Sequence, residues 1–107
     1  MRPYRFLAAA RLEIEQAADW YEAESPGLGA DFVDELAATL ERARTLPHAG
    51  ALVSGLRASA EVRRYLLRRF PYKLIAVVTA SELVFVAVAH EAREPRYWRR
   101  RLAKARR

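Results

Sequence analysis

Apolar and polar residues alternate along this chain with two periods in turn. Pro3–Leu7 alternates weakly and predicts a short first strand. Leu7, Ala10, Ile14, Ala17, Ala18 and Tyr21 then recur at helical spacing, with Glu13, Asp19, Glu22 and Glu24 set largely off that stripe. They predict an amphipathic helix of about five turns. The stretch Ser25–Gly29, with one proline and two glycines, breaks it. A second helix follows, with Phe32, Val33, Leu36, Ala37, Leu40 and Ala43 as its apolar face. Asp31 near its start and Arg42 and Arg44 near its end complement the helix dipole, and Pro47 closes it. So short a connection predicts an antiparallel helical hairpin.

Residues 46–60 predict a loop. From Glu61 the period changes. EVRRYLLRRF reads as an arginine-rich strand interrupted at Pro71, and YKLIAVVT (72–79) and LVFVAVAH (83–90) read as two strands of a hairpin. The last is apolar on both faces, as an interior strand is. Positions 84, 86, 88 and 90 share a side of this strand, so His90 extends a valine row to the strand's end. Pro95 suits the first turn of a short terminal helix, PRYWRRRLAKA. The predicted order is β-α-α-β-β-β with a terminal helix: a single α+β domain over residues 1–107, its helical hairpin packed on a small, mostly antiparallel sheet.

Composition narrows the chemistry. The chain has 107 residues, two histidines and no cysteine, which excludes disulfides and thiolate metal sites and suits a reducing cytoplasm. No HExxH-type spacing points to a metal, and no cofactor is expected. A basic start precedes FLAAA, but that apolar stretch is too short for a secretory segment, and no stretch approaches a membrane span, so a cytoplasmic protein without membrane partners is expected. Charge is divided unevenly. Residues 1–56 carry five basic and nine acidic residues, net −4, and residues 57–107 carry fourteen and four, net +10, within an overall +6. Such asymmetry suggests two faces with different partners, the basic one meeting a polyanion or an acidic protein segment.

WYE (20–22), PGLG (26–29), VRRYLLRRFPYKL (62–74) and AVAHEAREPRYW (87–98), in this order and over nearly the whole chain, resemble the RelE/ParE superfamily, the toxins of type II toxin–antitoxin (plasmid stabilisation) modules. The resemblance implies that fold, a cognate antitoxin that wraps and neutralises the toxin, and operator DNA contacted through the antitoxin complex. It also implies one of two targets: RelE-like members cleave mRNA on the ribosome, and ParE-like members inhibit DNA gyrase.

The RelE-like pattern needs several cations and one proton donor on a sheet face. Aligned to it, Arg64, Lys73 and Tyr97 fall on three of its positions, and His90 is a candidate replacement acid or base. Leu66 and Glu91 fall where the pattern has cations, and a glutamate repels a phosphate. ParE-like gyrase inhibition is therefore the first expectation, with a metal-independent mRNA endoribonuclease as the alternative. An inactive partner- or DNA-binding member is the third. Arg63, Arg68, Arg69, Arg93, Trp98, Trp20 and Tyr21 are candidates for target or antitoxin binding. Each has a plainer reading beside it. Arg63, Arg64, Arg68 and Arg69 form either a binding strip or a solvated strand. Tyr97 and Trp98 are either a stacking platform or the apolar side of the terminal helix. Trp20 and Tyr21 are either core or antitoxin-facing. His90 is either catalytic or the anchor of the 91–95 turn, and His48 reads as surface.

Overall fold

The computed structural model describes residues 1–56, 60–94 and 96–105. Their order is β1 (Tyr4–Phe6), α1 (Ala8–Glu24), α2 (Leu28–Thr45), a 3-10 turn (Pro47–Ala49), β2 (Ala51–Leu52), β3 (Glu61–Leu66), β4 (Tyr72–Val78), β5 (Leu83–His90), a second 3-10 turn (Arg99–Arg101) and α3 (Leu102–Ala105). The predicted α+β architecture is present. Five strands lie in the order β1-β5-β4-β3-β2, antiparallel except for the parallel β1–β5 pair.

Three predicted details differ. The 46–60 stretch is not all loop, because Gly50 lets the chain pass against Tyr65 and pair as β2: a Cβ there would lie 2.5 Å from the Tyr65 ring and 2.8 Å from the Arg64 carbonyl. Its residues 57–59 lie outside the described residues. The helical hairpin turns in three residues, Ser25–Gly27, since Gly27 takes a positive φ of 88° and α2 starts at Leu28. Glu22 at the end of α1 accepts the Gly27 and Gly29 backbone N–H groups, a carboxylate at a helix N-terminus. The terminal helix is shorter than predicted, beginning as a 3-10 turn and leaving four α-helical residues. Pro95, read as its start, lies outside the described residues.

The hairpin covers one face of the sheet. Ala17, Tyr21, Phe32, Leu36, Leu40 and Ala43 meet Tyr65, Leu74, Ala76, Phe85 and Val88 there. Trp98, Leu102 and Ala105 cover the other face, on Val62, Ile75, Val77, Val84, Val86 and Ala87. That division exposes a correction. Ile75 faces Ala87 while Ala76 faces Phe85, so Val86 is an extra residue, a β-bulge. Side-chain alternation restarts after it. Val84 and Val86 belong to the outer face, but Val88 belongs to the hairpin face, and the paired Tyr72 and His90 follow it there. His90 does not extend the valine row.

Candidate functional site

β1 ends at Phe6, so β5 beyond Phe85 has an open edge. Side chains close it. Glu13 of α1 accepts the Val88 backbone N–H at 3.0 Å, and Arg101 donates to the Val86 carbonyl at 2.9 Å. The two side chains also pair with each other, Arg101 offering Nη1 and Nη2 to the Glu13 oxygens at 2.9 and 3.2 Å. Tyr97 donates its hydroxyl to Glu13 at 2.7 Å. Arg93 lies 3.6 Å from Glu13 with its guanidinium 3.7 Å from the centre of the Tyr97 ring, a cation–π stack. One carboxylate, 9% exposed, thus ties helix, strand and C-terminal segment together.

Glu13 is the residue the hydrophobic pattern misplaced. It lies on the buried face of α1, not off it, with Ala10, Ala17 and Tyr21. The steps from Ala10 to Glu13, Ala17 and Tyr21 are three, four and four, so the spacing carried the signal. Polarity argued against it, because a buried carboxylate needs partners that come from residues 88–101, far along the chain.

The four candidates for nuclease chemistry are not gathered into one cluster. Register places Arg64 opposite Ile75 and Lys73 opposite Leu66, on the outer face. His90 is on the hairpin face, edge-on to Tyr72 at 5.0 Å, in a small cleft with Trp20, Gln16 and Arg93. Its Nδ1 accepts the Ala92 N–H at 2.9 Å and its carbonyl accepts the Arg93 N–H, so it anchors the 91–94 turn. Tyr97 is half-buried, and burial, reinforced by the Glu13 hydrogen bond, pushes its phenol well above its ordinary value of 10. Its proton is therefore held by Glu13.

The binding candidates separate in the same way. Tyr21 is buried against Phe32 and Phe70, and Trp98 is buried on the outer face, so neither offers a surface to a partner. Arg63 is tied to Glu61 and to the His48 and Gly50 carbonyls, holding the 3-10 turn against β3. His48 is exposed, as expected, but pairs with Glu61 at 2.8 Å. Burial of Tyr65 beside this group pushes its phenol up to about 12. The surface candidates are Trp20, Arg93, Arg68, and Arg69, whose Nε is 3.7 Å from Glu35. The side chains of Arg64 and Lys73 make no hydrogen bond or ion pair among the described residues, and Arg64 is exposed.

A family model described as the ParE toxin of type II toxin–antitoxin system, parDE, matches residues 4–95. Among solved structures, the chain is similar to one titled "Chromosomal ParDE TA system from P. aeruginosa". The TM-score is 0.69 at 16% identity, over 84% of this chain and 96% of that one, a likeness of fold. No curated protein matches the chain.

Proposed function

This chain belongs to the ParE toxin family of type II toxin–antitoxin systems, and on that premise we propose that it inhibits DNA gyrase and is neutralised by a cognate antitoxin. The observation that carries gyrase over mRNA cleavage is the separation of Arg64 and Lys73 from His90 by the thickness of the sheet, with the Tyr97 proton committed to Glu13. General acid–base cleavage needs donor and acceptor within hydrogen-bond reach of one scissile phosphate. Leu66 and Glu91 weaken that chemistry further, one neutral and one repelling the phosphate. A toxin that acts by binding needs no such convergence. It needs exposed groups, and the exposed cations Arg64, Arg68, Arg69, Arg93, Arg99 and Arg100 support that reading.

Two assays on the purified chain test this. Gyrase-dependent supercoiling is expected to fall with added protein, whereas a reporter mRNA translated in a bacterial extract is expected to keep its 5′ ends. New ends inside translated codons, with supercoiling untouched, would reverse the assignment.

A further inference from the structure

The sheet has a second open edge, at β3. Leu67 donates its backbone N–H to the Tyr72 carbonyl, so Leu67, Tyr65 and Arg63 direct their backbone groups at β4. The intervening Val62, Arg64 and Leu66 direct theirs the other way. Val53 donates to the Val62 carbonyl, and Ala51 pairs with Arg64. Leu66 is next in that row and finds no strand opposite, because the chain before Gly50 turns into the 3-10 segment, where the Ala49 N–H bonds the Leu46 carbonyl. Among the described residues its N–H and C=O have no partner. A strand edge left unpaired is a template for another backbone.

Beside this edge a groove of about 630 Å³ runs between the C-terminal half of α2 and β3, with Leu46, Ala49, Ala51, Tyr65 and Leu66 among its lining residues. Leu46, Leu52 and Leu66, three of the chain's exposed large apolar residues, lie along it or next to it. On its rim Glu41 is engaged by Arg44 at 3.0 Å, whereas Arg64 has no anionic partner among the described residues. The site combines an unpaired backbone donor and acceptor, an apolar trough and an uncompensated cation.

The geometry points to this groove as the docking site of an extended segment of the partner, one that adds main-chain hydrogen bonds at Leu66, lays an apolar side chain in the trough and presents a carboxylate to Arg64. Strand addition takes its affinity from main-chain bonds and its selectivity from alternate side chains, and a carboxylate on a guanidinium is a charge-assisted contact. The proposal rests on the reading above that an antitoxin binds this chain. It adds where, and by what chemistry.

The test uses the full chain and the small protein encoded beside its gene. Leu66→Pro removes only an N–H that bonds nothing within the fold, and the preceding Tyr65 is already extended, so β3 stays paired with β4. Ala49→Arg fills the trough from an exposed position, and Arg64→Glu reverses the rim charge. Circular dichroism melts confirm that each variant is folded. Each is expected to bind at least roughly tenfold more weakly than the parent chain. In the parent chain, Leu66 amide exchange is expected to be fast when free and protected in the complex. Equal affinity of all three variants, with the Leu66 amide still exchanging freely in the complex, overturns the docking site and leaves the toxin–antitoxin reading standing. No binding by the parent chain removes that reading and the docking site together. Self-association abolished by Leu66→Pro, with partner binding unchanged, would give the edge to a second copy of the chain and overturn the proposal.

Discussion

The Glu13 carboxylate stands 3.0 Å from the backbone N–H of Val88, in the place a continuing β1 would occupy along β5. A residue of the first helix thereby finishes the edge of an interior strand, and it also anchors the C-terminal segment through Arg101 and Tyr97.

Removing that carboxylate strands its partners. Glu13→Ala leaves the Val88 N–H and the Tyr97 hydroxyl without their acceptor and Arg101 without its counter-ion, and should cost about 3–5 kcal/mol, the range for breaking one side of a buried ion pair. Glu13→Gln keeps an acceptor oxygen and should cost less. Urea unfolding followed by circular dichroism measures both, and equal small losses would deny Glu13 this role.

Alkaline pH should loosen the fold through two phenols that folding buries. The Tyr65 phenol is pushed up to about 12 in the folded chain by burial, against an ordinary value of 10, and burial shifts Tyr97 the same way. Above about pH 10 the unfolded chain releases protons that the folded chain retains, so this contribution is fully present below pH 10 and fades as pH rises through the folded values. Melting temperature should fall above pH 10, less steeply in Tyr65→Phe and Tyr97→Phe.

On the acid side the sign reverses. Arg63, donating to the Glu61 carboxylate, holds its pKa below the ordinary value, with His48 adding to the effect. Stability from this group is present above the usual carboxylate range and is lost as pH falls through the folded value. Glu61→Gln should flatten the acid limb of the melting curve, and an unchanged limb would place that dependence elsewhere.

His90 should prove replaceable by a residue that accepts one hydrogen bond. Its Nδ1 serves the Ala92 N–H, and the Asn side-chain carbonyl offers a comparable acceptor. His90→Asn should keep both stability and growth inhibition, whereas His90→Leu should lose about 1 kcal/mol of stability. Loss of growth inhibition in a fully folded His90→Asn would make the ring a working part of the toxin.

Gly50→Ala tests the approach that lets β2 form. Its Cβ would meet the Tyr65 ring and the Arg64 carbonyl, one of them rigid backbone, and the cost should be about 1–3 kcal/mol. A neutral effect in thermal melts would show that the 3-10 turn gives way instead.

The helices, the long strands and the hairpin between β4 and β5 were legible in the sequence because each is decided by local periodicity and local turn chemistry. So was the family, carried by short motifs in a set order. Glu13 was half legible: its spacing marked the buried face, and its charge pointed outward. What only the tertiary structure decided depends on residues distant in the chain. Val86 is a bulge because of how β5 registers on β4, and one inserted residue moves His90 to the opposite side of the sheet from where alternation puts it. Two residues, Ala51 and Leu52, form a strand only because β3 is there to pair with them. Tyr21 and Trp98, aromatic and plausible at a surface, are buried because each finds a sheet face to cover. Periodicity records which residues share a side of one element. Which sides meet is decided by register and by long-range pairing, and the functional surfaces follow from those.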